Sequence, residues 1–124
     1  MRYVFYELDD SELQEMELLI KDTSEIAKKL FRDPACNRVE LIKKKEQLNK
    51  QIAAIVEQQK ICGYLDEKEY EGYKSTHLKK SLIRRSQLEE LLLAVSDEKG
   101  KLYVVLKKAM VAQKNLYIKV EVDE

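Results

Sequence analysis

The residue types that carry most enzyme chemistry are sparse in this 124-residue sequence. It has one histidine, His77, and two cysteines, Cys36 and Cys62, far apart along the chain. It has no glycine-rich phosphate loop, no Gly-x-Ser-x-Gly or His-Glu-x-x-His motif, and no cysteine pair at metal-ligand spacing. Because catalysis and metal binding need several such groups at one point, the sequence predicts a non-enzyme. No catalytic residue, metal ligand, cofactor or small-molecule substrate is expected.

The few reactive side chains have structural explanations. His77 falls on the apolar side of a predicted helix, where a partly buried, hydrogen-bonded imidazole is the common arrangement. Cys36 and Cys62 are expected to be free thiols, which behave as small hydrophobic side chains when buried. The search for function therefore turns to surfaces that bind a partner.

Three tyrosines near the middle of the chain are the best candidates for contact with a partner protein. Tyr64, Tyr70 and Tyr73 cluster at a predicted turn between two helices. Tyrosine gives a large contact area at a low cost in conformational entropy, which favours an interface. The equally weighted alternative is that the three rings pack together and hold the turn in place.

The basic stretch over residues 74–85 gives the best local case for contacts with nucleic-acid phosphates. It contains no acidic residue, and its basic residues are Lys74, Lys79, Lys80, Arg84 and Arg85. On a helix these side chains point to several sides, whereas a nucleic-acid-binding helix usually concentrates its charge on one face. A solvated surface or pairing with protein is therefore preferred over DNA or RNA binding.

The composition indicates a folded, soluble and mainly helical protein with a single domain, 1–124. Charged residues make up 37% and hydrophobic residues 44% of the chain, with three glycines and one proline, which is typical of long solvent-exposed helices. The 23 basic and 23 acidic residues cancel, so binding to nucleic acid or a membrane surface must be local. A membrane-spanning apolar run and a secretory signal are both missing. These features predict a cytoplasmic location and no membrane partner.

Clear start and stop signals define the first elements. Residues 1–8 are rich in aromatic and β-branched side chains, which predicts a strand. Asp9 and Glu12 match a capping box, so a helix with one apolar face is predicted over 9–32. The Asp-Pro step at 33–34 ends that helix and begins the next one.

The middle of the chain predicts an antiparallel helical hairpin. The first helix is predicted over 34–62, and its apolar residues follow the alternating spacing of a coiled-coil seam. These residues are Leu41, Leu48, Ile52, Ile55 and Cys62. Gly63 suits the left-handed residue that ends a helix, and Asp66 with Glu69 matches a capping box for a helix over 67–95. So short a turn makes the two helices antiparallel neighbours.

The C-terminal segment, 101–124, is predicted to be rich in strands. Residues 101–107 are β-like in residue type but also match a helical stripe, and a strand is the preferred interpretation. Residues 116–122 alternate as a half-buried strand, which is expected to pair with the N-terminal strand because a lone strand cannot satisfy its backbone. The predicted fold is α+β, mainly α. It combines the coiled-coil-like hairpin, an N-terminal helix and a small antiparallel sheet formed by the chain termini.

Residues 48–78 resemble a known type of hairpin. Their heptad-like helix, the sequence Cys-Gly-Tyr-Leu-Asp-Glu-Lys-Glu-Tyr and the helix that follows are similar to the coiled-coil motif of large serine recombinases, and also to short bacterial oligomerisation hairpins. The serine-nucleophile domain and the zinc-ribbon cysteines of such recombinases are missing. The resemblance implies a stand-alone partner or mimic of such a hairpin, for instance an accessory protein of a phage or mobile element.

These observations favour a non-enzymatic adaptor or regulator that binds another protein, or itself as an oligomer, through the helical hairpin. The alternative is a nucleic-acid-associated accessory factor that uses residues 74–85. A gel-shift titration at low and moderate salt separates the two, since phosphate contacts weaken steeply with salt.

Overall fold

The computed structural model of the protein describes residues 1–74, 78, 80–95 and 100–122. The predictions for His77, for Lys79 and for the side chain of Lys74 lie outside this part of the chain. The fold is α+β and mainly α, as predicted. In chain order the elements are β1 (Arg2–Leu8), α1 (Asp10–Arg32), α2 (Arg38–Glu57), β2 (Ile61–Asp66), α3 (Glu67–Lys74), β3 (Leu82–Ile83), a 3₁₀ helix (Arg85–Gln87), α4 (Leu88–Ala94), α5 (Lys101–Ala112) and β4 (Asn115–Glu121).

The chain divides into two compact units. The first consists of Met1–Leu13 and Gln59–Glu124, and it contains the sheet. The second, Gln14–Gln58, contains α2 and most of α1. That the two units fold together as the single domain 1–124 stays a prediction.

The sheet has the strand order β2-β1-β4-β3, and all neighbouring strands are antiparallel. β1 and β4 pair over their full length, from Arg2 opposite Glu121 to Leu8 opposite Asn115. The predicted pairing of the two chain ends is therefore confirmed. Because β1 lies between β2 and β4, its backbone is hydrogen bonded on both sides.

Helix α5 covers one face of this sheet. Its buried residues Leu102, Val105, Leu106 and Ala109 belong to the hydrophobic core of the first unit, which also includes Phe5 of β1. The prediction of a strand over 101–107 is thus wrong. The helical stripe outweighed the β-like residue types, because a helix buries these side chains against the sheet.

The predicted helical turn at 63–65 is part of strand β2. This strand pairs with β1, and a bulge leaves Cys62 without a partner residue. Among the described glycines none has a positive φ, so Gly63 is not a left-handed helix end. A Cβ atom at Gly63 would lie only 2.5 Å from Cγ2 of Val105. The glycine is needed for the close approach of α5.

The helix predicted over 67–95 is divided into shorter elements. α3 ends at Lys74, Leu82–Ile83 form the edge strand β3, and α4 follows. β3 pairs with β4, and the backbone N–H of Ile118 donates to the carbonyl of Ser81 at 2.7 Å. This non-local pairing outweighs the helical pattern, whose apolar spacing is irregular here. The predicted pairing of 34–62 with 67–95 is therefore wrong.

The helical hairpin of this protein is formed by α1 and α2. The Arg38 guanidinium donates to the carbonyl of Leu30 at 2.8 Å, so the start of α2 lies against the end of α1. At the opposite end, the Gln59 amide donates to the carboxylate of Glu12. Contacts at both ends make the two helices antiparallel.

α2 runs from Arg38 to Glu57, so the predicted bounds of 34 and 62 are both wrong. The Asp-Pro step ends α1 but does not begin α2, because the side chain of Asn37 accepts the backbone N–H of Glu40 and caps the helix there.

The predicted heptad seam lies in this hairpin. Four residues of the predicted seam lie in α2 and are partly buried, namely Leu41, Leu48, Ile52 and Ile55, whereas Cys62 lies in β2. On α1, Leu19 and Ile26 are buried. The buried side of α1 and the partly buried side of α2 thus belong to the two helices that hydrogen bonds at both ends hold side by side. The apolar spacing indicated the less exposed side of α2, but a heptad pattern does not specify which helix lies opposite.

Candidate binding surfaces

The three tyrosines predicted to bind a partner do not form one surface. Tyr64 is half exposed in β2, with the Arg2 guanidinium 5.4 Å from its ring centre. Tyr70 is buried and stacks on Tyr3, with the ring centres 3.7 Å apart. Tyr73 packs against the same core. The predicted helical turn that would have exposed them is not formed, so Tyr70 and Tyr73 pack in or against the core and Tyr64 is the most exposed of the three.

The described residues of the basic stretch 74–85 have different roles. Lys80 and Arg84 are exposed. Arg85 instead donates to both carboxylate oxygens of Asp10, from Nε to Oδ1 at 3.1 Å and from Nη2 to Oδ2 at 3.0 Å. A bidentate pair fixes the guanidinium in direction as well as position. The charge of Arg85 is therefore paired with Asp10 and is less available to a phosphate.

Asp10 and Arg85 belong to a polar network centred on Asn115, which is 1% exposed. The Asn115 amide nitrogen donates to the carbonyl of Leu8 at 3.1 Å and to Asp10 at 3.0 Å, and its oxygen accepts the backbone N–H of Arg85 at 2.7 Å. Hydrogen bonds from Asn115 and Arg85 hold the pKa of Asp10 below its usual range. The buried amide is fully partnered, so this network is a structural link between β1, α1, the 3₁₀ helix and β4.

An open cavity of about 490 Å³, here called the β2–α5 groove, lies in the first unit. Its apolar lining residues are Ile61, Tyr103, Val104, Val111 and Ala112. Ile61 and Val104 are about half exposed, and Val111 is 74% exposed. Because α5 already buries its other side in the core, these valines give the helix a second apolar face.

Charged side chains also line the groove. Lys60, Lys107 and Lys108 face it together with one carboxylate, that of Glu7. The ion pairs found in the described part of the chain do not include these three lysines. The groove therefore combines an apolar surface with a net positive charge.

Cys62 is the buried member of the groove lining. Its thiol donates to the carbonyl of Val105 at 3.3 Å. Burial raises the pKa of this thiol to about 11. A thiol with so high a pKa stays protonated near neutral pH and is a poor nucleophile, so Cys62 contributes to packing rather than to chemistry.

A second exposed surface is the hairpin tip, residues 28–45, where α1 ends and α2 begins. Phe31 is 91% exposed here, and Val39 and Ile42 are also exposed. The segment contains seven basic and two acidic residues. A large exposed aromatic side chain among several cations is a feature that packing of the hairpin does not require.

The sequence contained a signal for each surface, although neither surface was predicted. The positions Val104, Lys108 and Val111 have helical spacing, but this matters only once the segment is known to be a helix. At the hairpin tip, basic residues stand on both sides of the Asp-Pro step at 33–34. The exact charge balance of the whole chain concealed this local excess.

Comparison with protein-family models, curated proteins and solved structures gave no match. The resemblance of residues 48–78 to a recombinase hairpin therefore stays a prediction. Within the described residues, no group of three or more His, Cys, Asp or Glu side chains could hold a metal ion. None of the helices described is both long and apolar enough to cross a membrane.

Proposed function

We propose that the protein is a non-enzymatic adaptor or regulator that binds another protein through the β2–α5 groove. The observation that supports this proposal is the combination of exposed apolar side chains with three lysines that lack ion pairs among the described residues. The sequence predicts the interface on a hairpin of 34–62 and 67–95. Since that pairing does not form, the groove is the better candidate.

The shape of the groove favours an amphipathic helix as its occupant. Val104 and Val111 are seven residues apart on α5, which is about two turns or roughly 10 Å along the axis. A partner helix presents apolar side chains at i, i+3 or i+4, and i+7 with the same interval. Lys107 and Lys108 lie between the two valines in sequence, so acidic residues beside the partner's apolar stripe would complement them.

The same residues support binding rather than catalysis. Cys62 is protonated near neutral pH because burial raises its pKa to about 11, so the groove lacks an activated thiol. The free thiols Cys36 and Cys62 also suit a reducing compartment, which supports the predicted cytoplasmic location. The alternative nucleic-acid surface at 74–85 loses one of its cations, because Arg85 is paired with Asp10.

A phage-displayed library of helical peptides can test this proposal. Selection on the wild-type protein, with counter-selection on the variant Val111→Glu, should enrich peptides with an apolar helical stripe and an excess of Asp and Glu. Val111→Glu should weaken the selected peptides by about tenfold or more, because it introduces a charge at the apolar contact. Charge reversal at Lys107 and Lys108 should weaken acidic peptides and favour basic ones.

Leu93 provides the matched control, because it is an apolar side chain with 82% exposure on α4, outside the groove lining. Leu93→Glu should leave peptide binding unchanged. Selected peptides that are basic, or that bind Val111→Glu as well as wild type, would contradict the groove as a site for acidic helices. If the wild type dimerises and Val111→Glu abolishes the dimer, the groove binds a second copy of the chain rather than another protein.

A further inference from the structure

Charge is separated along the α1–α2 hairpin. The hairpin tip has seven basic and two acidic residues, an excess of five positive charges. Residues 10–25 of α1 have six acidic residues and one basic residue. The two excesses are equal and opposite and therefore cancel, so the zero net charge of the chain is compatible with a strongly basic hairpin tip.

Helix stability explains only part of this basic excess. Lys29 and Arg32 lie in the last turn of α1, where positive charge interacts favourably with the helix dipole. Arg38 likewise has a role in the fold, because its guanidinium donates to the carbonyl of Leu30 in the last turn of α1. Lys43 and Lys44 lie in the second turn of α2, where the dipole does not favour positive charge. None of the ion pairs in the described residues includes these cations. Neither the helix dipole nor an ion pair therefore explains the charge of Lys43 and Lys44.

Aromatic and basic side chains meet at the same end of the hairpin. The hydrogen bond from Arg38 to the carbonyl of Leu30 holds the start of α2 against the end of α1. Phe31 is the next residue along α1, and its side chain is almost fully exposed. A ring in this position is available to a ligand without any rearrangement of the hairpin.

We infer that the hairpin tip binds single-stranded nucleic acid. Its lysines and arginines complement the phosphates, and their contacts release counterions from the strand. The ring of Phe31 offers a surface on which an unpaired base stacks. Proteins that bind single strands without sequence preference commonly combine a basic surface with exposed aromatic rings. This site shares no residue with the β2–α5 groove.

Fluorescence anisotropy with a labelled single-stranded DNA oligonucleotide, the same sequence as RNA, and the DNA duplex tests the inference. The single strands should bind more tightly than the duplex, and binding should weaken between about 50 and 200 mM salt. Lys28, Lys43 and Lys44 are all exposed. Their joint replacement by glutamine should weaken binding by about tenfold or more and reduce the salt-dependence slope by about 2. Phe31→Ala should weaken binding by about tenfold and leave the slope unchanged.

The triple variant Lys60→Gln, Lys107→Gln, Lys108→Gln is the matched control, because it removes the same charge from the groove. It should bind the oligonucleotides as tightly as wild type. An equal loss in both triple variants, or wild-type binding by Phe31→Ala, would overturn the inference. Binding to vesicles of phosphatidylcholine and phosphatidylserine, with none to the oligonucleotides, would also overturn it. Phe31→Ala is a single surface change, so its result does not depend on whether the triple variant folds.

Discussion

Gly63 determines how closely α5 can approach the sheet. The sequence pointed to this glycine because it stands between two helix-like segments, and a left-handed conformation was the expected reason. In the structure the reason is steric, since any Cβ at this position would meet Val105. Sequence alone marks such a glycine as important, but the nature of the constraint depends on a residue more than forty positions away.

Replacement of Gly63 by alanine should lower the free energy of unfolding by about 1–3 kcal/mol, the usual cost of overpacking. Val105→Ala should recover part of this loss, because it removes the Cγ2 atom that the new Cβ would meet. The two changes should therefore depart from additivity by about 1 kcal/mol or more. Urea denaturation of wild type, both single variants and the double variant measures this coupling.

Gly72 is the control for the Gly63 and Val105 variants. It lies inside α3, and a Cβ there would meet nothing within 4 Å. Gly72→Ala should therefore stabilise the protein by roughly 0.5–1 kcal/mol, the gain expected for alanine in a helix interior. The effects of Gly63→Ala and Val105→Ala could instead be strictly additive, or alanine could have the same effect at both glycines. Either result would show that the close approach of α5 to the sheet does not depend on Gly63.

Among the elements, the starts of α1 and α3 could be predicted because their signals are local. The carboxylates of Asp9 and Asp66 accept the backbone N–H of Glu12 and Glu69 respectively, each at 2.7 Å, as the two capping boxes indicated. The pairing of elements could not be predicted in the same way. β2 and β3 exist because β1 and β4 provide partner edges, and no local pattern records a partner distant in sequence.

The candidate sites also differ in whether local sequence or contacts between distant elements determine them. The exposure of Tyr64 agrees with its proposed availability to a partner, whereas the burial of Tyr70 depends on its stacking with Tyr3 from another element. The groove depends on the packing of α5 against the sheet. The basic tip depends only on two adjacent helix ends and a local run of charge, so a count of charges along the chain could have identified it.

The network around Asn115 links the ends of several elements, and it should make stability depend on pH. The pKa of Asp10 in the folded state is held below its ordinary value, mainly by the hydrogen bond from Asn115 and to a smaller extent by that from Arg85. The stabilisation is therefore fully present above the pKa of Asp10 in the unfolded chain, about 3.9, and is lost as the pH falls through the lower folded pKa.

Asp10→Asn should accordingly melt at a lower temperature than wild type at pH 7, and the difference should shrink below about pH 4. Thermal melts followed by circular dichroism across this range measure it. Asp22→Asn is a control on the same helix, since Asp22 is exposed and no hydrogen bond or ion pair of its side chain is found in the described residues. If the difference in melting temperature between Asp10→Asn and wild type is constant with pH, ionisation of the Asp10 carboxylate does not cause the pH dependence of stability.

On the scale of the whole molecule, the two proposed surfaces lie on different compact units. The β2–α5 groove belongs to the unit that contains the sheet, and the hairpin tip belongs to Gln14–Gln58. An adaptor that joins two partners needs two separate surfaces. A groove for an acidic helix and a basic tip for single-stranded nucleic acid meet that requirement, and the groove and the tip together would connect a protein to a nucleic acid.

Simultaneous binding tests this account most directly. A single-stranded oligonucleotide fixed to a biosensor surface captures the protein, and an acidic peptide selected on the groove is then added. The peptide should bind the captured protein as tightly as it binds the free protein. Val111→Glu should abolish only the peptide step, and the Lys28, Lys43 and Lys44 triple variant only the capture. A peptide that displaces the protein from the oligonucleotide, or a variant that loses both steps while folded, would contradict it.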